Sequence, residues 1–317
     1  MLAQSRRLID RMPPPQFVRL TGIEMKVLDL FKKYAVNKDK LTAIDGYFTN
    51  FLGISTKADM FPPLKELSGQ VFPDLPLKGD GVFAGYGEYH SLLTAIESRA
   101  GKDSLTIVEL GAGWGPWVSA SGVIAQRMGF DRINLVAVEA DAKKYQFLQD
   151  HLAHNGLADD PSVSIKTLNG AAWYEDGVLH FPKAIEAVDY GGRVSAAGHD
   201  VDYRGMEYVS DEIEAISIEK ILAEFDAVDY LHIDIQGAEY EVLSRHKELM
   251  NQKVRNVFVG THSRMIDANL LQMFHDWGWD IPRSMACFVS HNRSIPTLEG
   301  MTMTDGEVFA RNPRLQD

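Results

Sequence analysis

Glycines at 111, 113 and 115, with an acid at Glu139, 24 residues beyond the last of them, are the residues of this chain best placed to do chemistry. They lie in Val108-Glu109-Leu110-Gly111-Ala112-Gly113-Trp114-Gly115 and in Val136-Ala137-Val138-Glu139-Ala140. Glycine lets a backbone turn tightly after a strand, and lets a ligand lie against it without meeting a Cβ. An acid ending the next strand can accept hydrogen bonds from both ribose hydroxyls of a nucleoside cofactor. Together the two features separate a nucleoside-binding enzyme from an ordinary α/β domain.

Dinucleotide sites space their glycines G-x-G-x-x-G and set a helix N-terminus against a pyrophosphate. Here the spacing is G-x-G-x-G, and Glu109 stands two residues before the first glycine. An acid there repels a pyrophosphate and suits a cation. S-adenosylmethionine carries a sulfonium and an ammonium and no phosphate, so the local charge favours a methyl donor over a dinucleotide. A glycine turn can serve packing alone; the combination with Glu109 and Glu139 makes that reading the weaker one.

The elements that must position these residues follow from pattern. Strand and helix alternate from about residue 82. Helices are expected at 89–99, 116–128, 141–154, 217–224, 239–249 and 265–276, and strands at 105–110, 133–139, 162–168, 228–235 and 256–260. Strands separated by helices imply a parallel sheet covered on both faces, with ligands at the strands' carboxyl ends. A short strand is expected at 178–181, and 284–290 with 306–310 read as a terminal hairpin. Before residue 80 a helix is expected at 23–35, after the break of Pro13, Pro14 and Pro15. Aromatic and Pro/Gly-rich pieces at 46–54, 61–64 and 71–81 follow it, and 73–81 is the expected boundary.

The 317 residues are 45% hydrophobic and 24% charged, enough for a substantial core in one large domain with a smaller element. A formal net charge of −12 argues against a general nucleic-acid binder, because neutralising phosphates needs a basic surface. Cys287 is the sole cysteine. That excludes an intramolecular disulfide framework and fits a reducing compartment; the thiol reads as buried and inert. No apolar run approaches the roughly 20 residues that span a bilayer. Arg6 and Arg7 have no apolar stretch behind them, so the start does not read as a secretory signal. A cytoplasmic protein is expected.

Beyond these readings, VELGAGWG with VAVEA resembles motifs I and II of class I S-adenosylmethionine-dependent methyltransferases. The block 228–243, VDYLHIDIQGAEYEVL, resembles the signature of the FkbM family within that class, close to D-hydrophobic-x-K/H-I-D-x-x-G-A-E-x-x-V/I-L. The segment 215–222, AISIEKIL, fits the family's lead-in, and the resemblance covers roughly residues 82–280. It implies an α/β, Rossmann-like seven-stranded methyltransferase sheet, mostly parallel with the last strand antiparallel, and helices on both faces. It also implies O-methylation of a hydroxyl, often of a sugar in a glycan or glycosylated natural product. Residues 1–80 are then an N-terminal helical and irregular cap, and 81–317 the methyltransferase domain.

On this reading Gly111, Ala112, Gly113 and Gly115 cradle the methionine part of S-adenosylmethionine, with S-adenosylhomocysteine as product. Glu109 steadies the cationic end, Glu139 and Ala140 take the ribose, and Gly170 and Ala171 admit the flat adenine, although Asn169-Gly170 is equally a plain turn signal. Asp234, with Gln236 in the turn behind it, ends the fourth strand where chemistry is expected. His262 is the candidate base for the acceptor hydroxyl, since an unperturbed histidine titrates near neutrality, and Asp234 would orient it or the acceptor. His232, among apolar neighbours, reads as structural. Tyr86, Glu88, Tyr89 and His90 read as closing over the cofactor or binding a sugar, or else as a helix cap with a hydrophobic contact; with Glu239 they are weaker candidates for the acceptor, and 185–208 reads as a lid or a solvated hairpin. Family members commonly carry E-x-H where this chain has Gly260-Thr261-His262. A divalent metal held by Asp234 with Glu239 or His262 could do the job of the base by lowering the hydroxyl's pKa; with no clustered ligand set in view, it is not favoured and no metal site is assigned. The expected partner is a hydroxyl-bearing small molecule or glycan, with no nucleic acid and no membrane span; the cap serves a large acceptor or a homodimer contact. Two rivals remain: a nicotinamide-dependent oxidoreductase, and a non-catalytic methyltransferase-like binding module.

Overall fold

The structure, a computed structural model, describes residues 22–60, 62–74, 86–183, 191–196 and 201–316. The three prolines at 13–15, most of the expected boundary, Tyr190 and His199 lie outside them. Helix α1 (Gly22–Tyr34) leads into a small sheet of β1 (Tyr47–Asn50), β2 (Ser55–Lys57) and β3 (Val71–Phe72), in the order β2-β1-β3. The stretch 46–54 was expected to be irregular; Tyr47–Asn50 instead form β1 and the chain turns into β2 through Gly53, with Phe48 and Phe51 buried.

The body of the chain continues with α2 (Tyr86–Glu97), β4 (Ser104–Leu110), α3 (Pro116–Met128), β5 (Arg132–Glu139), α4 (Ala142–His154) and β6 (Val163–Asn169). A side sheet follows from β7 (Ala171–Trp173), β8 (Gly177–Pro182) and β9 (Ser210–Ser217), then α5 (Ile218–Leu222), β10 (Tyr230–Ile233), α6 (Glu239–Ser244), α7 (Lys247–Lys253), β11 (Asn256–Thr261) and α8 (Arg264–Asp276). The chain closes with β12 (Asp280–Met285), the short pair β13 (Phe288–Val289) and β14 (Thr302–Thr304), and β15 (Gly306–Arg311). The main sheet has seven strands in the order β12-β15-β11-β10-β4-β5-β6. Strands β4, β5, β6, β10 and β11 pair in parallel, and β15 runs antiparallel to both β11 and β12. The last strand is thus the reversed one, as the resemblance implies.

Period-two alternation explains both layers. Leu105, Ile107, Ile133, Leu135 and Ala137 pack with Leu92, Trp117, Leu148 and the N-terminal Phe31 and Phe51 on one face. Val108, Leu110, Val136, Val138, Leu231 and Val257 pack with Ile221, Val242, Leu270 and Phe274 on the other. Each such fully buried aliphatic side chain contributes roughly 1.5–3 kcal/mol. At the edge of the sheet away from the glycine turn, buried Asp229 accepts the Thr106 N–H at 2.8 Å and meets Arg99 at 2.9 Å and Arg255 at 3.2 Å. It ties β4, the start of β10 and the start of β11 together.

Two expectations shift. The helix expected over 239–249 breaks into α6 and α7, because the chain leaves helical geometry at His246 (φ −121°). There Arg245 lies 3.9 Å over the Tyr174 ring and His246 contacts Tyr174 O at 2.9 Å. The expected strand at 284–290 lies earlier, as β12, since an edge strand tolerates Pro282 beside a bulge between Asp280 and Arg283. Among the described residues no helix is long and apolar enough to cross a membrane.

Candidate active site

The parallel strands bring their carboxyl ends level, with Ile233 opposite Leu110, Leu110 opposite Val138, and Glu139 opposite Asn169. A cleft of about 530 Å³ opens along that edge. Its floor is the turn after β4. Gly111 has φ +76°, and a Cβ there would stand 1.8 Å from Asp234 O, so only glycine fits. Gly111 N and Ala112 N both donate to Val138 O at 2.9 Å, which pins the turn to β5. Gly115 enters α3 with φ +73°, where a Cβ would meet Leu148 at 2.2 Å, and Pro116 takes the first helical position.

Glu139 is buried beneath this turn. Its Oε2 accepts the Gly113 N–H at 2.6 Å and its Oε1 the Asp141 N–H at 2.7 Å. Burial pushes its carboxyl up to about 7, while Lys144 and the two N–H donors pull the other way. Glu109 lines the cleft but turns its carboxylate to the helix, accepting from Val118 N at 2.8 Å and Trp117 N at 3.5 Å. Burial pushes its carboxyl well above the ordinary range against those bonds, and Asp234 and Glu139 add to the rise. Its expected part in steadying a cation is thereby shared with capping α3. Ala140, Gly170, Ala171 and Ala172 line one end, where Gly170 N donates to Glu139 O at 3.0 Å. Met60 and Leu64 from the N-terminal segment and Trp114 close that end. Nothing in their spacing marks the first two, because they reach the site only through tertiary packing.

At the other end Asp234 follows β10 and faces the cleft, as do Gln236 and Gly260. Gln236 takes a left-handed φ of 57° and donates its Nε2 to Asp234 Oδ1 at 3.0 Å. Behind Asp234, His262 approaches Oδ1 with Nε2 at 3.2 Å and places Nδ1 2.9 Å from Glu239 Oε1. Glu239 is fully buried, and the same oxygen accepts Gly237 N at 2.9 Å and Ile235 N at 3.2 Å. Burial alone would lower the His262 pKa, but Glu239 and Asp234 outweigh it and hold the ring well above its ordinary value. Burial would raise Asp234, yet His262 and Gln236 bring it below the usual carboxylate range.

Three expectations are corrected here. His262 is not a free base on the cleft; it sits behind Asp234, clamped by two carboxylates. Glu239 is not an acceptor contact but the buried partner of that ring. Nor is a ligand cluster missing: donor atoms of Asp234, Glu239 and His262 all lie within 4.8 Å of one another, an arrangement that their separation along the chain hides.

The expected acceptor residues of α2 also move. Tyr89 is in the core, with Phe51 at 5.3 Å and Trp117 at 5.1 Å. Tyr86 packs on Phe31 at 5.1 Å and His90 against Phe309 at 6.4 Å, and neither lines the cleft. Glu88 of the same helix does, 3.3 Å from Nε2 of His232, whose pKa burial lowers to about 3. Phe181, Gly192 and Val194 bring the side sheet and its excursion to the wall. Arg193 fastens that excursion, donating to Gly237 O at 3.0 Å and Glu299 at 2.9 Å. Thr304, Asp305, Gly306 and Glu307 complete the wall. Their signal was available: a reversed final strand must begin where the parallel strands end.

A model of the methyltransferase FkbM domain matches residues 108–278. A curated protein of Jannaschia sp. (strain CCS1) named "Putative methyltransferase" is 29% identical over 283 residues, 86% of this chain and 95% of that one. Among solved structures, methyltransferase FkbM from Methylobacillus flagellatus KT is 14% identical, covers 71% of this chain and 54% of its own, and gives a TM-score of 0.39. The C-terminal domain of precorrin-6Y C5,15-methyltransferase from Rhodobacter capsulatus is 10% identical, covers 73% and 91%, and gives 0.39.

Proposed function

The chain belongs to the FkbM methyltransferase family, and from that premise we propose that it methylates a hydroxyl with S-adenosylmethionine, the acceptor being a sugar in a glycan or glycosylated natural product. The observation that carries the cofactor is the charge of the cleft. Glu88, Glu139, Asp234, Asp305 and Glu307 line it, with Lys144 the one lysine or arginine among its described lining residues. Such walls suit a cationic cofactor and repel a pyrophosphate, which counts against a nicotinamide dinucleotide. The sugar acceptor rests on the family resemblance.

The residues present fit this cofactor. The carboxylate of Glu139 is the group for the ribose hydroxyls, the backbone from Gly111 to Gly115 for the methionine part, and the small side chains Ala140, Ala171 and Ala172 for a flat base. When bound, S-adenosylmethionine supplies a methyl group already activated by its sulfonium. The chain's own work is to align the acceptor and to handle its proton. Asp234 faces the acceptor end, so it is assigned the contact with the hydroxyl; His262, backed by Glu239, fixes the Asp234 carboxylate. Alignment contributes up to roughly 7–11 kcal/mol in ideal cases, and a positioned proton acceptor roughly 10²–10⁴ in rate.

Calorimetry of S-adenosylmethionine, S-adenosylhomocysteine and NADH with the purified chain tests the cofactor. The first two should bind and the third should not; NADH binding alone overturns the reading. Cofactor binding without transfer to any of a panel of glycan hydroxyls would point to the non-catalytic module. His262→Ala should lose at least a hundredfold in transfer rate with cofactor affinity unchanged, and full activity in that variant removes His262 from the mechanism.

A further inference from the structure

We infer that Asp305 is the residue that takes the proton from the acceptor hydroxyl, an inference that rests on the methyl-transfer reading above. The proton needs a destination that neither Asp234 nor His262 offers. Asp234 is held at Oδ1 by His262 and by the Gln236 amide, which bring its carboxyl below the usual range and make it a poor proton acceptor. His262 has a carboxylate on each edge of its ring, Asp234 at Nε2 and Glu239 at Nδ1. The three therefore do not converge on one cation, and no ring nitrogen is left for a proton from the cleft. The other carboxylates are engaged as well. Glu88 meets His232 at 3.3 Å, Glu109 caps α3, Glu139 accepts two N–H groups beneath the glycine turn, and Glu307 takes Arg283 Nε at 2.5 Å. Asp305 lines the same wall, is exposed, and makes no hydrogen bond or ion pair with a described residue.

The fold holds the backbone at this position and leaves the side chain free. Asp305 is the single residue between β14 and β15. Gly306 after it pairs with Thr261 of β11, and a Cβ there would stand 2.7 Å from the Cys287 backbone nitrogen, so only glycine fits. Beneath the corner, Asp267 Oδ2 accepts the Cys287 N–H at 2.9 Å and Oδ1 the Thr261 hydroxyl. On the β14 side, Thr302 Oγ1 donates to His262 O at 2.9 Å. A fixed backbone with an unpaired carboxylate at the cleft is the arrangement that proton acceptance requires. Exposed though the residue is, burial of its carboxyl against the wall raises that group, and Asp234 and Glu239 add to the rise against the pull of His262. The acceptor oxygen bonds to the methyl carbon, the old carbon–sulfur electron pair stays on sulfur, and the acceptor's proton goes to an Asp305 carboxylate oxygen and from there to water.

The test is transfer of labelled methyl from S-adenosylmethionine to a panel of mono- and oligosaccharides by the full chain. Asp305→Asn keeps the shape of the side chain and removes its basicity. It should lower kcat at least a hundredfold, with acceptor KM and S-adenosylhomocysteine affinity within threefold of the wild type. Asp305→Glu restores a carboxylate and should run at least tenfold faster than Asp305→Asn. A kcat for Asp305→Asn within threefold of the wild type, a loss matched in S-adenosylhomocysteine affinity, or equal rates in Asp305→Asn and Asp305→Glu overturns the assignment and leaves the methyl-transfer reading standing. A wild type that binds no S-adenosylhomocysteine, or that methylates no sugar of the panel, overturns that reading and the assignment together.

Discussion

Lowering the pH from 7.5 to 5.5 should weaken S-adenosylhomocysteine binding about 25-fold, through Glu139. Burial lifts this carboxyl to about 7, opposed by Lys144 and by the Asp141 and Gly113 N–H donors, with Asp141 adding a like charge. If only the carboxylate receives the ribose hydroxyls, the apparent dissociation constant scales as one plus the ratio of protonated to ionised Glu139. Between those two pH values that factor changes about 25-fold, about 1.9 kcal/mol. The sign is set by the requirement for charge: affinity is full above 7 and is lost as pH falls through it. The shift acts on stability in the opposite sense. A carboxyl near 7 when folded, against the ordinary 4.5, keeps its proton in the folded chain across that window. Its contribution, up to roughly 3 kcal/mol, is complete below 4.5 and lost as pH rises through 7. Calorimetry at constant ionic strength at pH 5.5, 6.5 and 7.5 measures the binding effect. Glu139→Gln should bind at least tenfold more weakly at pH 7.5 and show a flat profile. A flat wild-type profile, or a Glu139→Gln profile that tracks the wild type, refutes the reasoning.

Gly111→Ala should be destabilised by more than about 3 kcal/mol in thermal melts, because its Cβ would meet Asp234 O at 1.8 Å in a left-handed backbone; a melting temperature near the wild type would contradict the turn. Asp229→Ala should cost about 3–5 kcal/mol in urea denaturation by removing the buried carboxylate that pairs with Arg99 and Arg255. Its S-adenosylhomocysteine affinity should be unchanged, since Asp229 lies at the far edge of the sheet. Tyr89→Phe should keep methyl transfer within twofold and cost no more than about 1 kcal/mol, because Tyr89 is a core residue whose hydroxyl stands 3.5 Å from Asn50 Nδ2. A large rise in acceptor KM in that variant would return Tyr89 to the acceptor site.

Much of the proposed cofactor end was legible because its residues are local. The turn 111–115 and Glu139 lie on adjacent strands whose apolar runs mark them clearly, and the register delivers one beneath the other. The acceptor end was legible only in part. Asp234 is announced by its strand and turn, but His262 comes from the next strand, and no linear spacing shows that Glu239 lies behind it. Tyr86, Tyr89 and His90 were misplaced because a helix near the cleft presents one narrow stripe to it; the stripe is Glu88, while its neighbours pack into the core or against Phe31 and Phe309. Met60 and Leu64 were invisible for a different reason: the N-terminal segment reads as irregular, and only long-range packing brings it over the cleft.

The insertion of β15 between β11 and β12 sets an order of events in synthesis. Strand β11 is buried along its whole length, yet its outer edge has no partner until residues 306–311 emerge and reverse into place. Until then a nascent chain carries a bare apolar strand edge, the kind of surface that draws in other chains. Asp305 and Glu307 arrive with the same segment, so the last wall of the cleft forms only when the sheet is sealed. A chain cut short before residue 306 is therefore both adhesive and without a finished cleft, and the docking of residues 306–311 is the step that separates a growing polypeptide from a working site.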